Sequence, residues 1–382
     1  MTLIFHCSAC QAPYSQAPGP YRCLACDAPL ECRSPTPTFP LDQIAARPAD
    51  MWRFCEALPP VGTPVSLGEA RTPLIPFDLE GMTVLAKCDH TLPTGSYKDR
   101  GAALLMSYLH ALGIEEAVED SSGNAGAALA AYAARAKVRL KVFCPASASA
   151  GKLVQIRLYG AELVPVEGPR PQATEALLEY INRTGAVYAS HLWHPLFIEG
   201  LKTLAFELAE QLDWTAPDAV ICPVGAGSIL LGLYRGFVDL QRAKLVNRLP
   251  RLIAVQAEHV SPLYQAFHAG LDIVPPAASP RPTRAEGIAL PRPVRDREVI
   301  NALRQSAGTV VAVSEEAIVQ GLRQLGRAGF CVEPTSAVIW DGLRQAQAAG
   351  LVEPGQRIVA VLSGHGLKAA HPIGELLANS VV

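Results

Sequence analysis

Between residues 101 and 362 the chain repeatedly switches its hydrophobic period. Short runs rich in Val, Ile and Leu, at 138–144, 219–224, 252–257, 310–313 and 358–362, alternate with longer stretches of helical spacing. Residues 101–112 read as a helix closed by Gly113, a favourable residue just past a helix end, and 125–136 as an alanine-dense helix. Leu201, Leu204, Ala205, Leu208 and Leu212 recur at helical spacing. Strand–helix alternation over this length predicts an α/β fold with an open, largely parallel sheet covered on both faces. Ligands of such sheets bind beyond the carboxyl ends of the strands.

With 382 residues, 49% hydrophobic and 18% charged, the chain can bury a large core. Lys and Arg total 33 against 35 for Asp and Glu, a balance that argues against nucleic acid or an anionic membrane as partner. The longest charge-free apolar stretch, 219–234, is broken by Pro223 and three glycines, so no spanning helix is expected. The start MTLIFHCSAC lacks the pattern of a secretory signal, and a cytoplasmic protein is the expectation.

Five of the ten cysteines fall within the first 32 residues, four of them as Cys7-x-x-Cys10 and Cys23-x-x-Cys26. Paired knuckles of this kind place two thiolates on each of two turns and suit tetrahedral, structural zinc. The segment between them, from Tyr14 to Tyr21, reads as strand–turn–strand, and has too few apolar residues for a core of its own. The alternative is a set of reduced, unligated thiols. A proline-rich stretch at 34–40 marks the first boundary. The six prolines of 274–293 mark a long loop.

Four segments join glycine to hydroxyl, amide or charged residues at expected element ends. Pro93-Thr94-Gly95-Ser96-Tyr97-Lys98-Asp99-Arg100-Gly101 opens a helix, and a lysine there suits Schiff-base chemistry. Asp120-Ser121-Ser122-Gly123-Asn124 opens another, where amides and hydroxyls can hold a carboxylate. Gly225-Ala226-Gly227-Ser228-Ile229 follows a strand and reads as a phosphate cradle. Ser363-Gly364-His365-Gly366-Leu367-Lys368 follows another strand.

In this order, the segments resemble the threonine synthases, within the fold-type-II pyridoxal-phosphate (PLP) enzymes. The resemblance rests on GEARTPL at 68–74, PTGSYKDRG at 93–101, SSGNAGAALAAYAARA at 121–136 and GKLVQIRLYGAELV at 151–164. HPLFIEGLKTLAFELAEQL at 194–212, VEPTSA at 332–337 and LSGHGLK at 362–368 complete it. It implies a two-domain architecture of open twisted sheets, tryptophan synthase β-like, with a zinc-ribbon-like segment at 1–33. The larger, PLP-binding domain would comprise 34–100 and 205–382, and a smaller α/β domain 101–204. By the resemblance, Lys98 would bind the cofactor covalently and move protons, and Asn124 would contact the ring hydroxyl. Gly225, Ala226, Gly227, Ser228 and Ile229 would hold the phosphate, and Ser363 would face the pyridine nitrogen. Ser121, Ser122 and Gly123 would take the substrate carboxylate, and Lys152 or Arg292 an anionic substrate side chain. Cys7, Cys10, Cys23 and Cys26 would bind structural zinc, and a homodimer is usual in the family.

The implied activity is conversion of O-phospho-L-homoserine and water to L-threonine and phosphate. The chain departs from the family pattern where asparagines are common before the proline of 194–195: it has His191, Trp193 and His194. The alternative is β-elimination or β-replacement on serine, threonine, phosphoserine or a diamino acid. Intact Lys98, Asn124 and Ser363 argue against a non-catalytic binding protein.

Overall fold

The computed structural model describes residues 3–15, 17–33, 37–148 and 150–378, with only the backbone of 150–152. The chain divides into two compact units. One comprises the residues up to Arg71 together with Lys98–Thr203, and the other Thr72–Tyr97 together with the residues from Leu204 onward.

The first strands, β1 (Phe5–Cys7), β2 (Pro13–Tyr14) and β3 (Leu30–Cys32), form an antiparallel sheet in the order β2-β1-β3. The expected strand–turn–strand between the cysteine pairs is thus replaced by a sheet in which β1 is central and Tyr21 lies outside any strand. This ribbon does not stand alone. Phe5, 1% exposed, packs edge-on to Tyr108 and His194, and Tyr21 packs on Tyr188 and Trp193. Its few apolar residues therefore share the core of the smaller unit.

The sequence reading assigned 34–71 to the larger domain, but this stretch packs with the smaller unit. Val65 donates its amide to Ser107, and the Arg135 guanidinium donates to the Ser66 carbonyl, which ties the stretch to two helices of that unit. Part of the proline-rich boundary, 34–36, lies outside the described residues.

An antiparallel hairpin, β4 (Leu74–Leu79) and β5 (Met82–Lys87), opens the larger unit. The smaller unit then adds β6 (Glu116–Glu119), β7 (Arg139–Pro145), β8 (Glu162–Val166) and β9 (Val187–Tyr188). These four are all parallel, in the order β8-β7-β6-β9. The larger unit continues with β10 (Ala219–Pro223), β11 (Arg251–Ala257), β12 (Thr309–Val313) and β13 (Ile358–Val361). Its six-stranded sheet runs β12-β11-β10-β13-β5-β4, parallel except at the β4 edge. The central strands β10 and β13 are buried at every residue, as the continuous apolar runs require.

The expected helices sit at Lys98–Ala111 and Asn124–Ala136. The helical spacing over 201–212 is realised as two helices, Pro195–Leu201 and Thr203–Gln211. No helix among the described residues is long and apolar enough to cross a membrane.

Candidate active site

The larger unit gathers three of the four motif segments at the carboxyl edge of its sheet. Strands β10 and β13 run parallel with Ile221 opposite Ala360, so the turn at Gly225 and the turn at Ser363 leave the sheet at the same end. Strand β5 is parallel to β13 on the other side and leads into residues 93–97. Hydrogen bonds lock these segments together. The amide of Tyr97 donates to the Ser363 carbonyl (3.1 Å), that of His365 donates to the Gly95 carbonyl (2.9 Å), and Lys368 donates to the Thr94 carbonyl (2.6 Å). The Tyr97 hydroxyl lies 3.1 Å from Ser228 Oγ. Lys98 is the next residue after Tyr97 in the chain.

Two glycines fix the cradle. Gly227 adopts φ +86°, and a Cβ there would lie 2.2 Å from Val299 Cγ2. At Gly225 a Cβ would come within 2.9 Å of the Ile288 backbone. The 15-residue helix Ser228–Arg242 starts directly after this turn, so its unpaired amides and the positive end of its dipole lie at the turn. Ser228 and Ile229 are buried, and Ala226 is partly exposed. This cradle fits a phosphate group.

Ser363, 2% exposed, lies 2.9 Å from Ser336 at the start of the helix Pro334–Ala348. Ser336 Oγ accepts the amides of Ser363 and Gly364, both at 2.9 Å. With its acceptor sites filled by two amides, the Ser336 hydroxyl cannot also accept from Ser363, so the Ser363 proton is left for another acceptor. A hydroxyl donor of this kind fits a pyridine nitrogen.

The smaller unit carries candidate residues of its own. Lys98 begins the 14-residue helix Lys98–Ala111, and its Nζ lies 5.7 Å from the centroid of the Phe197 ring. The ring is pressed on Gly101, where a Cβ would meet Phe197 at 2.6 Å. A Cβ on Gly200 would strike the Arg100 carbonyl at 2.2 Å. The glycines of the KDRG and EGLKT strings thus permit two helices to touch backbone to backbone. Ser121, Ser122 and Gly123 follow β6 and lead into the helix Asn124–Ala136, and Ser121 Oγ accepts the Gly123 amide.

Sequence reasoning missed three residues here. Glu119 ends β6 and is fully buried, and Oε1 is hydrogen-bonded to His191 Nδ1. Phe197 walls Lys98, and Arg170 opens the helix Arg170–Thr184 with its guanidinium 3.9 Å from Asp120. Glu119 and Arg170 had no local string to announce them, and Phe197 lay within the string at 194–212 without being singled out. His194, by contrast, is a packing residue: Nδ1 accepts the Leu196 amide as a helix cap, and its ring packs on Phe5 and Tyr108.

Of the two expected cations, Arg292 is exposed on its loop, whose other arginines Arg284 and Arg295 pair with Glu315 and Glu298. The side chain of Lys152 lies outside the described residues.

In the ribbon, one sulfur each from Cys7, Cys10, Cys23 and Cys26 lies within 4.8 Å of the others. Cys7 and Cys26 sulfurs are 3.4 Å apart, and Cys10 and Cys23 sulfurs 3.6 Å. The Tyr14 hydroxyl, 3.1 Å from Cys23, pulls that thiol down to about 6. Against the pull of the Ala28 amide, the Cys7 sulfur and burial push Cys26 up to about 12. Four thiols this close compete for protons, and the donor set fits a tetrahedral soft cation.

Known proteins resemble this chain over most of its length. Residues 65–364 match the family of pyridoxal-phosphate dependent enzymes. The chain belongs to that family and is a PLP-dependent lyase. Within it the likeness is to threonine synthases. That of Methanosarcina acetivorans is 31% identical, over 95% of this chain and 91% of its own. That of Methanocaldococcus jannaschii is 33% identical, over 86% of this chain and 82% of its own. Among solved structures, the T.th. threonine deaminase matches with TM-score 0.66 and 26% identity, over 85% of this chain and 97% of its own. The processed threonine deaminase isoform 2 of Solanum lycopersicum matches in fold, with TM-score 0.70 and 21% identity over 91% of both chains.

Proposed function

We propose that the protein converts O-phospho-L-homoserine and water to L-threonine and phosphate. The observation that carries the reading is the pinning of Tyr97 to both Ser228 and Ser363, which joins the lysine-bearing segment to the glycine cradle and the serine donor. The threonine synthases among the relatives support the choice of substrate.

When bound, pyridoxal phosphate supplies an electron sink for charge developing at Cα of an amino acid. The amides of Gly225, Ala226, Gly227, Ser228 and Ile229 would hold its phosphate, and Asn124 its ring hydroxyl. Ser363, oriented by Ser336, would donate to the ring nitrogen. A hydroxyl cannot keep that nitrogen protonated as a carboxylate would, which favours elimination and addition at the side chain over transamination. Lys98 would hold the resting cofactor by its amine. Once released, it would take the proton from Cα and then from Cβ of the substrate. Ser121, Ser122 and Gly123 would take the substrate carboxylate at the start of the helix Asn124–Ala136. Phosphate would leave from Cγ with its bonding pair, Lys98 would return a proton to Cγ, water would add its oxygen at Cβ, and Cα would regain its proton from Lys98.

A second reading, elimination from serine or threonine, is favoured by His191 standing where threonine synthases commonly carry an asparagine. One experiment separates the two. Purified protein is incubated with O-phospho-L-homoserine, O-phospho-L-serine, L-threonine and L-serine in turn, and the products are identified. Threonine and phosphate from phosphohomoserine are expected. Ammonia and an oxo acid from threonine or serine, with phosphohomoserine untouched, would overturn the first reading.

A further inference from the structure

The two cysteine knuckles of the ribbon are built to one pattern. In each, the amide of the first cysteine donates to the carbonyl five residues on, Cys7 to Ala12 and Cys23 to Ala28, both at 2.9 Å. The residue after the second cysteine stands at positive φ, Gln11 at 64° and Asp27 at 60°, and returns its amide to the carbonyl of the first. The first cysteine of each pair, Cys7 or Cys23, is fully buried, whereas Cys10 and Cys26 are exposed. Across the knuckles, Cys7 meets Cys26 at 3.4 Å and Cys10 meets Cys23 at 3.6 Å. The edge of a tetrahedron with bonds of about 2.3 Å is about 3.8 Å, so the sulfurs stand close to the spacing that zinc requires.

One side chain breaks the pattern. Cys7 Sγ accepts the amides of Ala9 (3.4 Å) and Cys10 (3.3 Å), and among the described residues no side chain but a thiol reaches it. Cys23 Sγ accepts the Ala25 amide at the same 3.4 Å, but its closest donor is the Tyr14 hydroxyl at 3.1 Å. Tyr14 ends β2, where pairing with β1 sets it opposite Phe5, and its hydroxyl also accepts the Leu24 amide at 2.8 Å. The matching amide of the first knuckle, that of Ser8, donates to the Pro29 carbonyl instead (3.0 Å). The direction of the bond to sulfur follows from these contacts. A sulfur that ligates a cation carries no proton, and the Leu24 amide already occupies a lone pair of the phenol, so the Tyr14 proton points at Cys23.

Four thiolates outweigh a divalent cation in charge, and hydrogen bonds to the sulfurs take up part of the surplus. We propose that Tyr14 is a positioning residue of the ribbon's cation site: its hydroxyl fixes Cys23 and takes up part of that sulfur's charge, which tightens the hold on zinc and damps the reactivity of this one ligand. The inference rests on the fit of the four thiols to a soft cation and is independent of the reaction at Lys98.

The test compares full-length wild type with Tyr14→Phe, which keeps the ring and removes the hydroxyl. Zinc affinity is read by competition with a chromophoric chelator, and the sulfur-to-metal charge-transfer band after loading with cobalt(II). Tyr14→Phe should weaken zinc binding about tenfold and move the band to longer wavelength, because the sulfur electrons lose a stabilising proton. In the zinc-loaded protein, iodoacetamide labelling mapped by peptide mass should speed up at Cys23 and stay unchanged at Cys7. A lower affinity with an unmoved band, or equal acceleration at Cys7 and Cys23, would make Tyr14 a packing residue and overturn the proposal. Unchanged affinity and band would overturn it too. If Tyr14→Phe fails to fold, fluorotyrosine in place of Tyr14 carries the test: a stronger donor of nearly the same shape should move the band to shorter wavelength, and an unmoved band refutes the role. Wild type that takes up neither zinc nor cobalt(II) would instead refute the cation site itself, and the proposal with it.

Discussion

The candidate groups fall into two halves, one in each unit, built from different materials. In the larger unit the groups are mostly backbone: a glycine turn, a helix start, and serine hydroxyls oriented by amides. In the smaller unit they are side chains drawn from distant parts of the chain, with Glu119 and His191 72 residues apart. A backbone cradle has no side chain to exchange and can hold an invariant group such as a cofactor phosphate. A cluster of side chains can be altered one residue at a time, which suits the part of the site that selects among substrates.

The largest effect should come from Lys98, the proposed base of the side-chain half. Lys98→Ala should lower turnover on the order of 10³-fold or more with the fold intact, and borohydride should label Lys98 in the yellow wild type. A variant with normal turnover would erase the distinction between the halves. Gly227→Ala tests the backbone half. A side chain at φ +86° pressed against Val299 should destabilise the cradle by about 2 kcal/mol or more, or about 30-fold in cofactor affinity by titration. Ser336→Ala should have a smaller effect, about three- to tenfold in turnover with a shifted cofactor absorbance, because Ser363 loses the partner that orients its proton. Unchanged spectra would show that Ser363 needs no such partner. Replacing Cys7 and Cys10 should affect turnover least. Metal analysis should find about one zinc per chain in the wild type and none in the variant, with the melting temperature lowered and the cofactor retained. Wild type without zinc would leave the thiols as a purely protonic network.

The two halves also differed in how legible they were. Lys98, Ser363 and the glycine turn sit in short contiguous strings beside strand ends, where local period and glycine placement announce them. The pairing of Glu119 with His191 depends on β6 and β9 lying side by side, and strand adjacency has no local signature. Arg170 opens a helix that the sequence reading did not single out. The hairpin of β4 and β5 was missed for another reason: Pro76 interrupts its strand pattern, and proline is admissible there only because β4 is an edge. Stretch 34–71 went to the wrong unit because its ties are single bonds from Val65 and Ser66 to distant helices.

The ribbon grips the segment from Tyr188 to His194 by its aromatic side chains: Tyr21 holds Tyr188 and Trp193, and Phe5 holds His194. His191 lies between those grips. Any coupling that this segment carried between its two ends would be reciprocal by necessity. If a cation held by the four thiols tightens the seat of His191 by some factor, a molecule bound at that seat must tighten the hold on the cation by the same factor. A cation on the thiols would then register whatever steadies that segment, as a gauge fixed to the far side of the same beam.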